Sequence, residues 1–437
     1  MTTPNQRLLS LDIFRGMTIA FMILVNNPGS WSTVYAPLLH AEWHGATLTD
    51  WVFPFFLFIV GVAIPLSVGK RLEQGDAHSA ILKKVGSRTL IIFSLGLFLA
   101  AYPKFGMADG APLLKLHYIL LGIFLLSVFF REVLHQKQFD QPLHLRLRRI
   151  LGIAALIAAA AMVVLGCFAY DLSHLRIPGV LQRIALVYGA CSLLFLKLDW
   201  KGLIWATAGV LILYWILMTL VPVPGGYPPN LEPETNLGAW LDRTLLGGHL
   251  WSQSKTWDPE GLLSTIPAIG TGLLGVLTGM WIKAERDVYK MLTALLAMGA
   301  ILMAAGFIWH PIFPINKKIW TSSYVLYAGG IAMLILGIVY WLVDVRGYKA
   351  WAKPFVMYGA NPLFAYVLSG LIVRTFANIK WETPDGTQNA WSWMYQHWFV
   401  PVFTSPYNAS LAFAIANVLV GLAAVWVLYR KRIYIKV

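Results

Sequence analysis

The chain alternates between long apolar runs and polar loops, and residues 16–68 show this most clearly. They read GMTIAFMILV (16–25), then NNPGSWSTVYAPLLHAEWHGATLT (26–49), then DWVFPFFLFIVGVAIPLSV (50–68). Each apolar run belongs to a segment of roughly 20 mostly apolar residues, the length that an α-helix needs to cross a hydrocarbon core about 30 Å thick. This stretch therefore predicts two membrane helices that are joined by a polar loop at one membrane surface.

The rest of the chain has the same character. Of its 437 residues, 58% are hydrophobic and 12% are charged, and the mean hydropathy is +0.65. This composition excludes a soluble fold and is typical of polytopic membrane proteins. Twelve segments meet the length criterion, near 11–28, 50–68, 89–103, 116–131, 150–169, 179–197, 203–222, 262–282, 291–309, 321–342, 354–376 and 409–429. We therefore predict an all-α polytopic integral membrane protein with about twelve transmembrane helices, in which residues 1–437 form a single domain.

The basic residues predict the orientation of these helices. A net charge of +14 could indicate nucleic-acid binding in a soluble protein, but here Lys and Arg collect in the loops that follow even-numbered segments and in the tail. These residues are Lys70, Arg71, Lys83, Lys84, Arg88, Arg131, Lys137, Arg146, Arg148, Arg149, Lys197, Lys201, Lys283, Arg286, Lys290, Arg346, Lys349, Lys353, Arg430, Lys431 and Arg432. By the positive-inside rule they face the cytoplasm, so both termini are expected to be cytoplasmic and no nucleic-acid partner is expected.

The other loops are longer, poorer in cations and richer in Pro, Gly, Trp and Asn. They are 29–49, 104–115, 170–178, 223–261, 310–320 and 377–408. We expect them to face outward, where their Trp residues form an interfacial aromatic belt, with a sugar-stacking role for a few of them as the alternative. They hold nearly all the polar clusters of the chain.

The first polar cluster contains the candidate catalytic residues. The turn signal after Asn26 ends the first helix, and the loop returns through His40 and His44 to Asp50, which can cap the second helix. A neutral imidazole is the usual general base and can also be acylated, while a nearby amide can stabilise an oxyanion. The spacing alone does not choose between His40 and His44, and it equally allows a structural loop histidine.

Two further clusters join an ionisable group to the outer end of a helix. In RIPGVLQR (176–183), Arg183 lies about one turn inside an apolar helix, where it could bind an anion or anchor a carboxylate such as Asp50 or Glu260. In WDPEG (257–261), Asp258 and Glu260 could bind an amine, although acids at a helix start also suit the helix dipole.

Two more clusters depart from simple membrane patterning. In PINKKIWTSS (314–323), Lys317 and Lys318 place two cations on the outer side, which hints at an anionic ligand, with snorkelling side chains as the alternative. In GANP (359–362), Asn361 precedes a proline inside a membrane segment, and we expect a helix break there that lines a cavity.

The motifs that are missing exclude some chemistry. The sequence contains no Walker loop, no HExxH, no paired CxxC and no GxSxG. Hydrolysis driven by a nucleotide or by zinc is therefore disfavoured, and we expect no metal.

The clusters taken together resemble the transmembrane acetyltransferase family of heparan-alpha-glucosaminide N-acetyltransferase, including its bacterial N-acetylglucosamine-related transmembrane members. The matching stretches are RLLSLDIFRG (7–16), MILVN (22–26), HAEWHG (40–45) with Thr47, Asp50, Val52, Phe53 and Pro54, RIPGVLQR (176–183), DPEG (258–261) and NKKIWTSSYV (316–325). This ordered set spans nearly the whole chain, so it is more specific than any single motif.

The resemblance implies a function and site residues. In that family an Asn and a His at the positions of Asn26 and His40 form the catalytic pair, so the resemblance favours His40 over His44. The lysosomal enzyme has Asn where this chain has His44, which further argues against His44. The resemblance also implies acetyl-CoA as co-substrate from the cytosolic side and an amino sugar or glucosamine-containing saccharide as acceptor on the periplasmic side of a bacterial inner membrane, with a homodimer as the assembly. Candidate binding residues for the substrate or acetyl-CoA are Asp50, Arg176, Gln182, Arg183, Asp258, Glu260, Asn316, Lys317, Lys318, Ser322 and Asn361.

This chain is expected to differ from the family in two respects, and two other functions are alternatives to acetyl transfer. The N-terminal luminal domain of the lysosomal enzyme has no expected counterpart, and the helix pair within 116–169 is expected to be an insertion. A sugar or anion transporter, with Arg183 and Asn361 lining a path, is one competing function, although no internal repeat is visible. An O-acyltransferase of envelope glycans is the other.

Overall fold

The computed structural model describes residues 8–384 and 386–435, and nearly all of its regular structure is helical. The α-helices are α1 (Leu9–Asn26), α2 (Val52–Glu73), α3 (His78–Ala101), α4 (Leu114–Val133), α5 (Pro142–Ala169), α6 (Val180–Lys197), α7 (Trp200–Leu220), α8 (Leu237–Leu246), α9 (Thr265–Ala284), α10 (Val288–Trp309), α11 (Ser322–Tyr340), α12 (Lys353–Ala360), α13 (Pro362–Asn378), α14 (Ala390–Trp398) and α15 (Pro406–Arg430). A small antiparallel hairpin, β1 (Lys380–Thr383) and β2 (Gly386–Asn389), lies between α13 and α14. Arg7, in the first family-like stretch, lies outside the described residues.

The prediction of about twelve membrane helices is confirmed. Within the described residues, eleven helices are long and apolar enough to cross a membrane, and a bent pair supplies the twelfth segment, near 354–376. In this pair Ala350–Ala360 and α13 meet at 76°. The bend falls at Asn361, directly before a proline that cannot donate a helical hydrogen bond, so the helix break predicted from GANP is present.

Several helix boundaries differ from the predicted ones. The third predicted segment begins near 89, but α3 begins at His78, and the fifth begins near 150, but α5 begins at Pro142. Basic residues end a stretch that can cross lipid, but they are good helix formers and let the helix continue into water. The short helices α8 and α14 and the β-hairpin lie inside outer loops, where the apolar pattern gave no signal.

The centre of the bundle depends on close contact between α2 and α9. A Cβ atom added at Gly61 would lie 2.0 Å from the carbonyl oxygen of Gly272, and one added at Gly275 would lie 2.1 Å from the carbonyl oxygen of Phe58. These separations leave no room for any side chain. Small residues that let helix backbones touch are typical of membrane bundles, in which packing rather than water exclusion holds helices together.

The six predicted outer loops gather at one end of the bundle. Gly45 N donates to Ile315 O over 2.7 Å, which joins loop 29–49 to loop 310–320. Ile177 N donates to His249 O, which joins loop 170–178 to loop 223–261. Gly29 and Asn378 contact Ser410 and Tyr118, which lie near the starts of α15 and α4, beside the remaining two loops. At the opposite end Lys283 pairs with Glu73 at 2.7 Å. The predicted grouping of loops is therefore observed, while the cytoplasmic location of the termini stays a prediction.

Helices α4 and α5 form a peripheral pair. They pack mainly against each other and expose most of their surface. At their outer ends His117 Nε2 donates to Pro103 O over 2.7 Å, and His117 Nδ1 accepts from the Tyr170 hydroxyl over 2.8 Å. Gly106, with φ +79°, approaches Asp171 so closely that an added Cβ would lie 1.7 Å from its carbonyl oxygen. The chain therefore enters and leaves the pair at adjacent points. Its status as an insertion stays a prediction.

The helix break at Asn361 holds the end of the chain. The Asn361 side chain is buried, donates through Nδ2 to Ile433 O over 3.0 Å, and accepts from Ile435 N over 2.8 Å. These residues follow α15, whose first turn lies near the outer loops, so Asn361 lies at the end of the bundle opposite those loops.

Candidate active site

The loop between α1 and α2 places His40 against Asp50. His40 Nδ1 donates to Asp50 Oδ1 over 2.6 Å. The His40 side chain is 43% exposed, whereas that of Asp50 is 2% exposed. Because the proton on Nδ1 is directed at the carboxylate, Nε2 keeps its lone pair and can act as a base or nucleophile. The pair therefore presents a basic nitrogen at the end of the bundle that carries the predicted outer loops.

Asp50 holds this geometry through several other contacts. Its Oδ2 accepts from Ala41 N at 3.0 Å, from Thr47 N at 2.9 Å and from Thr47 Oγ1 at 3.1 Å, which completes a capping box ahead of α2. The Tyr324 hydroxyl donates to the Asp50 carbonyl over 2.5 Å. The expected capping role of Asp50 is thus present, and the same carboxylate also orients the imidazole.

His44 lies in a different environment. Its Nδ1 faces Asn316 Nδ2 at 3.4 Å, and the neighbouring Gly45 pairs with the 310–320 loop. Burial lowers the pKa of His44 below its usual value of 6.5, with His310 acting in the same direction and Glu232 opposing it. No carboxylate orients His44 within the described part of the chain, so the geometry favours His40 as the base.

Asn26 is the last residue of α1 and its side chain is exposed at the same end as His40. No hydrogen bond joins Asn26 to His40 among residues 8–384 and 386–435. The neighbouring Asn27 is buried and donates through its side chain to Ile23 O over 2.7 Å, which caps the C-terminal end of α1. Of the two adjacent amides, Asn26 is the one that remains open to a ligand.

A buried ion network lies beside this loop. Arg176 donates through Nε and Nη2 to the two oxygens of Asp258, at 2.8 and 2.5 Å, and through Nη2 to Glu260 at 2.5 Å. The carboxylates of Asp258 and Glu260 are 0% and 5% exposed. Both predicted amine-binding carboxylates are therefore already occupied by an arginine.

Charge balance keeps Glu260 ionised. Burial acts to raise its pKa, but the opposing attraction of Lys317, Arg176 and Arg183 is larger, so the pKa of Glu260 is lowered from its usual value of 4.5. Lys317 Nζ lies 4.0 Å from Glu260 Oε1. Two predicted binding clusters, DPEG and NKKIW, thus meet in one network.

Arg183 is buried behind this network with incomplete hydrogen bonding. Its side chain is 1% exposed, and Nη2 donates to Gly261 O over 3.0 Å and to Ser264 Oγ. Its Nε and Nη1 have no hydrogen-bond partner. The guanidinium lies 5.2 Å from the ring centre of Trp320, a residue held at φ +53°. Arg183 therefore ties the loop before α9 and retains free donors.

The remaining candidates have mainly local partners. Asn316 Oδ1 accepts from the N–H groups of Lys318 and Ile319, at 2.8 and 3.1 Å, and shapes the 310–320 loop. Ser322 Oγ donates to Leu211 O over 2.7 Å. Gln182 is buried beside Gly96 and Gly179. Asn361 holds the tail at the opposite end, away from the other candidates.

Comparison with known proteins relates this arrangement to an enzyme. Residues 7–221 match a family described as a domain of unknown function, DUF5009. An alignment 436 positions long, which covers 87% of this chain, shows 27% identity to heparan-alpha-glucosaminide N-acetyltransferase of Homo sapiens. The Mus musculus protein is 27% identical over an alignment of 431 positions that also covers 87% of this chain. The chain is a distant homologue of heparan-alpha-glucosaminide N-acetyltransferase. It spans about half the length of these curated relatives, since 55% of each is covered.

The region shared with DUF5009 contains Asn26, His40, Asp50, Arg176 and Arg183. The match to heparan-alpha-glucosaminide N-acetyltransferase extends over most of the chain and thus over most of the helical bundle. The resemblance stated from the motifs is therefore confirmed as distant homology to this acetyltransferase.

Sequence reasoning missed three residues around the site. Asp242, on α8, accepts from Leu262 N over 2.9 Å and from Asp258 N over 3.3 Å. Tyr324 and Trp320 support the His40 loop and Arg183. Asp242 lies in a predicted outer loop without a motif. Trp320 was interpreted only as a belt tryptophan, and Tyr324 was given no role although it lies in the NKKIWTSSYV stretch.

Proposed function

We propose that the protein transfers acetyl from cytosolic acetyl-CoA to the amine of a glucosamine-like amino sugar on the outer side of the membrane. Distant homology to a membrane acetyltransferase supports the reaction class. The observation that carries the proposal is the His40–Asp50 pair, in which a buried carboxylate orients an exposed imidazole within a polytopic membrane bundle.

The chemistry of the pair suits acetyl transfer to an amine. His40 Nε2 accepts a proton from the acceptor amine as its nitrogen attacks the thioester carbonyl. The new C–N bond forms, the C–S bond breaks, and the resulting imidazolium returns the proton to the departing thiolate. Asp50 stabilises the imidazolium through the hydrogen bond to Nδ1. A general base of this kind contributes about 10²–10⁴-fold to a rate.

A covalent route uses the same residues. His40 Nε2 attacks the thioester carbonyl, the C–S bond breaks and the thiolate leaves. The amine then attacks the acetyl-imidazolium, the C–N bond to the imidazole breaks and frees neutral His40, and the amine proton passes to the thiolate. In either route Asn26 would donate to the carbonyl oxygen as negative charge develops there. The exposed amide at the end of α1 supports this role. We favour direct transfer, and the inner membrane and a homodimer stay predictions from the resemblance.

The test is acetyl transfer by purified protein in lipid nanodiscs. Radiolabelled acetyl-CoA and glucosamine are supplied, and label in the sugar is measured for wild type, His40→Ala and His44→Ala. We expect transfer by wild type and His44→Ala and none by His40→Ala. Full transfer by His40→Ala would reject the assigned base.

Proteoliposomes separate the competing functions. Glucosamine uptake without acetyl-CoA would indicate a transporter, and label appearing on hydroxyl groups instead of the amine would indicate an O-acyltransferase. We expect no uptake, because Asn361, one of the residues expected to line a path, is buried and bonds to the end of the chain. We expect label on the amine, because the distant relative is an N-acetyltransferase.

A further inference from the structure

The main-chain carbonyl of Asp50 lies where α2 lacks one of its hydrogen-bond donors. A 3₁₀ turn over Leu48–Trp51 runs directly into α2, and in a continuous α-helix the carbonyl of residue 50 accepts from the N–H of residue 54. Residue 54 is Pro54, which has no N–H and whose ring crowds the carbonyl four residues earlier. Because Asp50 is buried away from bulk water, another protein group has to supply the donor.

Tyr324 supplies this donor. Its hydroxyl donates to Asp50 O over 2.5 Å. Tyr324 lies in the first turn of α11 and is 0% exposed, and its ring packs edge-to-face against Trp320 with ring centres 5.3 Å apart. A ring that is packed in this way keeps its hydroxyl directed at one acceptor. The start of α11 is thereby tied to the start of α2.

The residue that Tyr324 holds is the one that orients His40. Asp50 Oδ1 accepts from His40 Nδ1 over 2.6 Å, and within the described part of the chain no other hydrogen bond holds the imidazole. Only two rotatable bonds separate the Asp50 carboxylate from its main chain, so a shift of the main chain moves the carboxylate as well. The His40 side chain is 43% exposed and has no tightly packed pocket of its own. The position of the imidazole therefore depends on the Asp50 main chain.

The segment before α11 holds the same loop at two other points. Gly45 N donates to Ile315 O over 2.7 Å, and the Lys318 ammonium donates to the carbonyl oxygen of Glu42. Both points lie within the loop, several residues before the start of α2. The hydroxyl of Tyr324 acts at the helix start itself, so these contacts do not duplicate its role.

We propose that Tyr324 is a positioning residue for the candidate catalytic pair. Its hydroxyl replaces the helical donor that is missing at Pro54, and so holds Asp50 where its carboxylate keeps the proton of His40 on Nδ1. Tyr324 is buried and acts through Asp50, not directly on the reacting groups. The effect on the reaction rate rests on the proposed acetyl transfer, whereas the effect on the imidazole can be measured without it.

The direct test is the tautomer of His40, measured by nitrogen NMR of histidine-labelled protein in lipid nanodiscs at a pH where the imidazole is neutral. His40→Ala identifies the signals of His40. In wild type we expect the Nδ1–H form. In Tyr324→Phe, which keeps the ring and removes only the hydroxyl, we expect the Nε2–H form to appear, because the carboxylate no longer has a fixed position. An unchanged tautomer in folded Tyr324→Phe would overturn the proposal, as would the Nε2–H form in wild type.

A second substitution tests the role of the missing donor. Pro54→Ala supplies an N–H at the position that normally donates to the carbonyl of residue 50, so Tyr324→Phe combined with Pro54→Ala should regain the wild-type tautomer. A folded double variant that behaves like Tyr324→Phe would overturn this mechanism.

Tyr358→Phe is the matched control. Tyr358 is also buried, and its hydroxyl donates over 2.5 Å to another helix carbonyl, that of Val418. The control should lower the melting temperature about as much as Tyr324→Phe does and leave the tautomer of His40 unchanged. If Tyr358→Phe changed the tautomer equally, the effect would be a general one and the proposal would fail. Gel filtration of each variant checks that it is folded.

Steady-state kinetics add the consequence for the proposed reaction. For Tyr324→Phe we expect kcat to fall about tenfold, less than the loss of about 10²–10⁴-fold expected without a general base, because the imidazole is present but misplaced. The KM values for glucosamine and acetyl-CoA should change little. If the tautomer shifts in Tyr324→Phe but wild type transfers no acetyl, the positioning role stands and the proposed function fails. If wild type transfers acetyl and the tautomer does not shift, the proposed function stands and the positioning role fails.

Discussion

Replacing Asp50 by Asn tests whether the carboxylate orients the imidazole or only caps a helix. Asn has nearly the same shape, and its single carbonyl oxygen can take the place of Oδ2, which accepts from the N–H groups of Ala41 and Thr47. Its amide NH₂ then faces His40 Nδ1, which must become the acceptor. The proton moves to Nε2, and the basic nitrogen at the surface is lost.

The magnitude follows from that change of tautomer. Loss of a general base costs about 10²–10⁴ in kcat, equivalent to about 3–5 kcal/mol in the activation barrier. The effect on folding should be much smaller. The lost hydrogen bond is 2.6 Å long but its imidazole is 43% exposed, so its contribution to stability is about 1 kcal/mol. Activity should therefore fall far more than stability.

The assay compares Asp50→Asn with Thr47→Ala in nanodiscs. Thr47→Ala removes the hydroxyl that donates to Asp50 Oδ2 but leaves the contact with His40 in place. It should lower thermal stability by about 1 kcal/mol and leave most of the acetyl-transfer rate. If folded Asp50→Asn transferred acetyl at the wild-type rate, Asp50 would be only a cap and the proposed chemistry of His40 would be refuted.

Three further predictions concern stability. Gly61→Ala should prevent normal packing because the new Cβ would lie 2.0 Å from a backbone oxygen, whereas Gly86→Ala, with nothing within 4 Å, should leave gel-filtration profiles unchanged. Arg176→Met should lower stability by about 3–5 kcal/mol, and Arg176→Lys by less, because two buried carboxylates lose their partner; melting curves in detergent that show no loss would contradict this. Burial, helped by the charge of Asp258, raises the pKa of Asp242 from 3.8 to about 6 against the opposing hydrogen bonds from Leu262 and Asp258. The stabilisation by protonation is therefore complete below about pH 4, and about 3 kcal/mol of it is lost as the pH rises from about 4 to about 6. The stability of Asp242→Asn should rise relative to that of wild type over this interval and then level off, and a constant difference between the two melting temperatures would count against the assignment.

The membrane helices could be predicted from sequence because lipid imposes one simple requirement on length and apolar content. The same requirement does not apply to the part of a helix that extends beyond the membrane into water. For this reason α3 and α5 begin earlier in the chain than the predicted segments. The alternation of basic and polar loops along the sequence also predicted which loops lie at the same end of the bundle, because the chain changes sides of the membrane with each helix.

The site was predictable in part. Motif resemblance singled out His40, and a polar residue before α2 indicated a cap at Asp50. The contact between the two could not be read from their spacing, because a loop of this length with several turns can bring many pairs together. The pairing of Arg176 with Asp258 depends on residues far apart in the chain, and only the folded bundle determines which charges meet.

The contact between Gly106 and Asp171 has a consequence for how this architecture can vary. Because the chain leaves and rejoins the bundle at almost the same point, α4 and α5 form a closed excursion that crosses the bilayer twice. Such a unit is topologically neutral: gaining or losing it leaves every later helix with the same orientation and the His40 loop on the same surface. Gain or loss of this pair therefore changes the surface that the bundle presents to lipid and to neighbouring membrane proteins. It leaves the candidate active site unchanged.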